Sequence, residues 1–125
     1  MTSAARLPAL LFAYVAASFL HHAHNAWYLT WYPNMPRWLS PAGVMLAWSI
    51  ETAIGMAGYA PFTRDRRTLG SALIGLYAAA GLGGLDHYTL APMTHHSFAM
   101  NVSIWVEVAT AAMLLLAVLF HARQR

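Results

Sequence analysis

Hydrophobic positions in this chain fall into four long runs that are separated by short polar joints. The runs cover residues 7–29, 41–60, 69–90 and 97–120. Each run is close to the roughly 20 residues that an α-helix needs to cross a hydrocarbon core of about 30 Å. Prolines fall at the joints, and Ser40 followed by Pro41 is typical of a helix start. The pattern therefore predicts four transmembrane helices.

Composition favours a membrane protein over a soluble one. The chain of 125 residues is 59% hydrophobic and only 9% charged, whereas soluble domains carry about 25% charged residues. Because the joints are short, successive helices must run antiparallel. We therefore predict a single domain over residues 1–125, an all-α integral membrane protein with an up-down four-helix bundle. Its expected partner is the lipid bilayer, since no basic stripe lies on a polar face as in nucleic-acid-binding proteins.

Arginine residues indicate the orientation of this bundle. Six of the seven fall on the side that holds the two termini and the joint at 63–67: Arg6, Arg64, Arg66, Arg67, Arg123 and Arg125. Only Arg37 falls on the opposite side. Because basic residues concentrate in cytoplasmic loops, we predict cytoplasmic termini in a bacterial cytoplasmic membrane.

Histidines concentrate at the other, extracytoplasmic end. Six of the seven lie there, on three of the predicted helices, and only His121 lies at the terminal end. Neutral imidazole is the commonest metal ligand, and facing helices of a bundle can supply ligands together. The predicted metal ligands are His21, His22, His24, Asp86, His87, His95, His96 and Met100.

The residue types limit the identity of the metal. The chain has no cysteine, so thiolate sites are excluded. Thioether with imidazole favours copper, whereas imidazole with carboxylate suits zinc, iron or Cu(II). Haem b, held by two histidines on facing helices, is the alternative cofactor. The histidines lie near the membrane surface rather than a turn or two inside, which favours a bare metal ion.

Two glutamates are predicted deep in the bundle. Glu51 lies ten residues after Pro41, and Glu107 lies eleven after His96. At a rise of about 1.5 Å per residue, both reach about 15 Å below the surface. Carboxyl groups are costly there, so we predict that Glu51 and Glu107 form the catalytic floor of a pocket, in contact directly or through one water. Further polar or aromatic positions at helical spacing are expected to line it: Tyr14, Ser18, Asn25, Trp48, Asn101, Ser103 and Trp105.

Three functions remain open at this point. The leading hypothesis is a metal-binding membrane protein, either an oxidoreductase or a factor that handles copper or zinc. The second is a metal-free enzyme in which the two glutamates carry out acid–base chemistry on a lipid or isoprenoid, a lipophilic small molecule. The third is a non-catalytic subunit of a larger membrane complex, or a homo-oligomer, with the histidines at an interface.

Overall fold

The computed structural model describes residues 3–64 and 66–123, and all regular structure within them is helical. The long helices are α1 (Ser3–Trp27), α2 (Pro41–Thr63), α3 (Arg67–Gly81) and α5 (Phe98–Arg123), and α4 (His87–Leu90) is a single turn. Short 3₁₀ segments cover Leu29–Trp31, Leu82–Asp86 and Met93–His95. The predicted all-α class is confirmed. Asp65 in the 63–67 joint and Arg125, which entered the topology prediction, lie outside the described residues.

Two helical stretches within the described residues are long and apolar enough to cross a membrane. They are Arg67–Leu90 and Phe98–His121. The other two long helices have 25 and 23 residues, but α1 ends in the polar sequence HHAHN and α2 contains serine, glutamate and threonine. Length and composition therefore indicate a membrane location for two of the four long helical stretches, and the four predicted spans are not confirmed.

The four long helices pack as a ring, in which each helix has two neighbours. α1 lies between α2 and α5, and α3 lies between the same two helices. α1 and α5 run antiparallel: His21 near the end of α1 faces Ser103 near the start of α5. This arrangement brings one end of every long helix to the histidine-rich end, and the other to the terminal end.

The apolar core occupies the terminal half of the bundle. Its buried members are Leu7, Leu11, Tyr14, Phe62, Ile74, Tyr77, Ala78, Ala111, Leu114 and Val118. Glycine permits the close approach of α2 and α3 here, because a Cβ on Gly58 would lie 2.9 Å from the carbonyl oxygen of Gly70. Tyr14 packs against Tyr77 with ring centroids 4.5 Å apart and donates its hydroxyl to Tyr77 O at 3.2 Å. Packed side chains therefore fill the terminal half of the bundle.

The third predicted helix is interrupted rather than continuous over residues 69–90. The α-helix ends at Gly81, and the chain continues as the 3₁₀ segment Leu82–Asp86 before the short α4. Gly81, Gly83 and Gly84 weaken a regular helix here, since glycine loses more backbone entropy than other residues. The segment packs on α5, where a Cβ on Gly84 would lie 3.2 Å from Glu107 Oε2. The unwinding thus brings this backbone against a buried carboxyl group.

The joint between α1 and α2 folds back over the histidine-rich end. Asn34 adopts a left-handed conformation, with φ of 57°, and its side-chain amide donates to Leu90 O at 2.8 Å. Tyr32 is only 3% exposed. Ser40 caps α2 as predicted, because its Oγ accepts from Gly43 N at 3.1 Å.

Candidate functional site

A polar cavity of about 380 Å³ lies in the histidine-rich half of the bundle. Its lining residues are His21, His22, Asn25, Glu51, Ala80, Gly83, Gly84, Asp86, His87 and Glu107. Seven of these ten are among the predicted site residues, and they come from α1, α2, the interrupted third helix and α5. The fold therefore brings most of the predicted chemistry to one place.

Glu107 is the central group of this cavity. It is 2% exposed, and an imidazole lies near each of its oxygens. His21 Nε2 is 3.6 Å from Oε2, and His22 Nδ1 is 3.5 Å from Oε1. Both distances exceed the roughly 2.7–3.2 Å of a hydrogen bond, and Oε1 has no hydrogen-bond partner. The carboxyl group is thus surrounded by imidazoles without being bonded to them.

The hydrogen bonds of His21 fix its tautomer. Ser103 Oγ lies 2.9 Å from Met100 O, and a carbonyl can only accept, so the single hydroxyl proton is used there. The contact of 3.1 Å between His21 Nδ1 and Ser103 Oγ must then be donated by Nδ1–H. In the neutral ring, Nε2 therefore carries a lone pair, and that lone pair lies beside the Glu107 carboxyl group.

Two other histidines have the same tautomer for a simpler reason. His22 Nδ1 lies 2.9 Å from Ser18 O, and His96 Nδ1 lies 3.1 Å from Pro92 O. Backbone carbonyls only accept, so Nδ1 carries the proton in each ring. In the neutral ring, Nε2 then has a free lone pair. A metal-bound histidine typically donates its other ring N–H to such an acceptor. The bonding pattern is therefore the one that prepares Nε2 for a ligand.

His87 completes the imidazole group. Its ring centroid lies 5.3 Å from that of His21, and the His21 and His22 centroids are 5.6 Å apart. Asn25 Nδ2 contacts His87 Nε2 at 3.3 Å. His87 Nδ1 and Asn25 Oδ1 are buried without hydrogen-bond partners. Because buried polar atoms are normally satisfied, these orphaned atoms indicate a place for a bound group or water.

Tyr32 covers the histidine-rich end of the cavity. Its ring packs 5.0 Å from His87 and 6.4 Å from His96 between centroids. Its hydroxyl lies 2.9 Å from His24 Nδ1. Burial raises the pKa of the Tyr32 phenol, so the hydroxyl stays protonated. The sequence analysis did not assign this residue to the site.

Not all predicted metal ligands reach the cavity. Met100 and His24 line a separate groove beside Tyr28 and Trp31, and the Met100 sulfur accepts from Ser97 N at 3.4 Å. His95 lies exposed on the last 3₁₀ turn. His96 is buried but does not line the cavity, and its ring lies 6.1 Å from that of His87.

Only some of the residues that were predicted to line the pocket lie at the cavity. Asn25 lines the cavity, and Ser103 supports it through His21. Tyr14 belongs to the apolar core, Ser18 is fully buried, and Trp48 packs on Phe19 with centroids 5.0 Å apart. Asn101 accepts from the Tyr88 hydroxyl at 2.8 Å, and Trp105 packs on the Tyr88 ring.

Gly84 is a second residue that sequence reasoning did not assign to the site. Its signal in the sequence is the cluster of glycines before Asp86. A Cβ on Gly84 would lie 3.2 Å from two side chains of α5, those of Glu107 and Val108. Within the described residues, no three histidine or acidic side chains already converge as a complete ligand set.

Comparison with protein-family models, with curated proteins and with solved structures gives no match. The class that the fold and the cavity define is therefore a small all-helical protein with two membrane-compatible helices and a buried cavity of histidines and acids.

Proposed function

We propose that this protein is a four-span membrane protein that binds a transition metal ion between His21, His22 and Glu107, with His87 in the same cavity wall. Imidazole nitrogen with carboxylate oxygen suits zinc, iron or Cu(II). His21 and His22 lie on α1 and Glu107 lies on α5, so the ion would also hold these two helices together at the histidine-rich end. Glu51 and Asp86 would contribute negative charge from the wall.

The distance between His21 and Glu107 carries this proposal. Two ligand atoms held at about 2.1 Å by one tetrahedral ion lie about 3.4 Å apart, and the ligating rings have centroids about 5–6 Å apart. The observed separation of 3.6 Å between His21 Nε2 and Glu107 Oε2 is too long for a hydrogen bond and suits two ligands of one ion. The ring centroids of His21 and His22, which lie 5.6 Å apart, also suit this arrangement. The Nε2 atoms of His21 and His22, which carry no proton in these neutral tautomers, support the same proposal.

The membrane part of the proposal rests on charge as well as hydropathy. Arg64, Arg66 and Arg67 lie between α2 and α3, on the opposite end from the cavity. With the positive end in the cytoplasm, the cavity would lie toward the extracytoplasmic side of a bacterial cytoplasmic membrane. A reporter fused after Arg125 should then behave as cytoplasmic, and a periplasmic signal would overturn this orientation.

Metal analysis of protein purified in detergent without chelator tests the proposed site. We expect one ion per chain, and titration with zinc after chelation should restore it. Replacing a ligand should weaken binding at least about 100-fold, beyond the loss caused by removing a supporting hydrogen bond. His21→Ala and Glu107→Gln are the test variants.

His121→Ala is the matched control, because His121 packs on Phe62 at the terminal end. It should bind metal as the original chain does. No ion and no zinc binding in the original chain would overturn the proposal. Equal loss in all three variants would also overturn it, because general unfolding would then explain the result.

Proton transfer without a metal is the second candidate function. It is favoured by the pairing of a buried carboxyl group with two imidazoles in one cavity, an arrangement suited to general acid–base chemistry. Under this candidate, Glu107 and His21 would exchange a proton with a lipophilic substrate. Full activity on such a substrate after complete removal of metal would favour it over the metal site.

A further inference from the structure

Tyrosine rings pack on both sides of the cavity along the axis of the bundle. Toward the terminal end, the Tyr14–Tyr77 contact fills the bundle. Toward the histidine-rich end, Tyr32 lies over His87, and the Asn34–Leu90 hydrogen bond holds its segment in place. A ligand larger than an ion therefore needs another route.

The side of the bundle between α2 and the interrupted third helix provides that route. These helices touch closely at the terminal end, where Gly58 meets Gly70. Farther along, the 3₁₀ segment 82–86 packs on α5 instead. Three cavity residues on this side are exposed: Ala80, Gly83 and Asp86. The opening is thus lateral and bordered by two small residues and one carboxyl group.

Beyond Asp86, the surroundings of this opening are apolar. Ile50, which precedes Glu51 on α2, is 54% exposed, and Leu76, one turn before Ala80, is 59% exposed. In the proposed bilayer, such residues face acyl chains. The opening would therefore be reached from the hydrocarbon region, and the ligand must be lipophilic over part of its length.

The charges that line the cavity limit which polar head group the lipophilic ligand can have. The wall carries the acids Glu51, Asp86 and Glu107, and no arginine is among its residues. A phosphate or carboxylate head therefore has no cationic side chain to pair with in this wall. The divalent ion of the proposed metal site would repel a cationic head. An uncharged head remains.

The orphaned polar atoms match such a head group. Glu107 Oε1 and Asn25 Oδ1 are acceptors without a partner, and His87 Nδ1 is unpaired as well. A hydroxyl can both donate and accept. The cavity of about 380 Å³ falls within the roughly 300–1,000 Å³ of small-molecule sites.

We infer that the cavity binds a neutral lipophilic alcohol, which passes between α2 and the interrupted third helix at Ala80 and Gly83. Its hydroxyl reaches the Glu107, Asn25 and His87 group, and its tail leaves through the lateral opening. The inference that the head group is uncharged depends on the proposed metal site, whereas the inferred lateral route depends only on helix packing.

Photolabelling in phosphatidylcholine vesicles tests this inference. The probe is a long-chain primary alcohol that carries a diazirine. We expect labelled peptides that contain cavity residues, and displacement of the probe by unlabelled long-chain alcohol. Long-chain alkyl phosphate and alkyl ammonium should not displace it. Displacement by either charged lipid but not by the alcohol would overturn the assignment of the head group.

The adjacent residues Ala79 and Ala80 allow a matched pair of variants that tests the lateral route. Ala80→Leu fills the opening, whereas Ala79→Leu adds the same side chain at an exposed position that does not line the cavity. We expect loss of cavity labelling in the first variant and normal labelling in the second. Equal labelling in both would overturn the lateral route. Thermal unfolding of both variants shows whether Ala80→Leu is folded, and the displacement experiment on the original chain tests the inference independently of folding.

Zinc binding measured on the same preparations separates the two proposals. Normal zinc binding without alcohol labelling would overturn the alcohol site and leave the metal site. Alcohol labelling of a chain that binds no zinc would overturn the metal site and retain a lipophilic ligand in the cavity.

Discussion

Tyr14 and His21 lie on the same face of α1, two turns apart, yet they meet very different surroundings. The Tyr14 hydroxyl donates to Tyr77 O, and its ring is enclosed by the core. His21 is equally buried, but its Nε2 faces the unpartnered carboxyl group of Glu107. One helix thus supports a satisfied apolar half and an unsatisfied polar half.

This difference indicates a division of roles within the bundle. Satisfied, well-packed groups stabilise a fold, whereas buried polar atoms without partners cost stability and persist where function requires them. The terminal half would then hold the helices together while the histidine-rich half provides binding. Substitutions in the two halves should have opposite consequences for stability and binding.

The largest stability effect is expected in the terminal half. Ile74 is fully buried, so Ile74→Ala should cost about 2–5 kcal/mol of unfolding free energy, from lost burial and the cavity that remains. Leu76→Ala, at a position that is 59% exposed, is the control and should cost far less. Thermal unfolding in detergent measures both. Similar losses would show that this half is not a packed core.

Gly81→Ala should destabilise the same half by overpacking. The new Cβ would lie 2.6 Å from Tyr14 Cζ, and forcing extra volume into a packed core costs about 1–3 kcal/mol. At Gly75 the nearest atom would be Val118 Cγ1 at 3.7 Å, so Gly75→Ala should instead gain about 0.5–1 kcal/mol. Opposite shifts in melting temperature are expected, and a loss at both positions would contradict this account.

Ser103→Ala should weaken metal binding while leaving the core intact. The change removes the acceptor of His21 Nδ1–H, and loss of such a supporting hydrogen bond typically costs about 10–100-fold in metal affinity. Ser49→Ala is the matched control, because that hydroxyl only donates to Met45 O on its own helix. Zinc competition titrations compare the two variants. Unchanged affinity in Ser103→Ala would mean that His21 does not bind the ion.

Glu107→Gln should have the smallest effect on stability in the absence of metal. The new amide can donate to His21 Nε2, so the free energy of unfolding should stay equal or rise by up to about 1 kcal/mol. Glu107→Ala leaves the buried polar atoms around this position without a polar neighbour and should cost about 1–3 kcal/mol. The original chain should gain about 2.7 kcal/mol from zinc at 100 times the dissociation constant, and the Gln variant, which binds at least about 100-fold more weakly, should gain no more than about 0.4 kcal/mol. A strong destabilisation by Gln would instead assign Glu107 a structural role.

Much of the helical layout follows from the sequence because it depends on local properties. Hydropathy and length predict the helices within a few residues at most ends, and Ser40 caps α2 through an interaction with Gly43 three positions away. The gathering of histidines at one end follows from element lengths alone. Glycine clustering did not predict the interruption after Gly81, because the 3₁₀ segment is stabilised by packing on α5 rather than by its own residues.

The partners of the buried acids could be decided only by the tertiary structure. The sequence predicts that Glu51 and Glu107 lie at similar depth, and both do line one cavity. Depth does not fix the rotation of each helix about its axis, and that rotation places His21 and His22 next to Glu107. The covering position of Tyr32 likewise depends on a joint that folds back through contacts with residues far along the chain, such as His87. Periodicity determines which residues share a helix face, whereas long-range packing determines which faces meet.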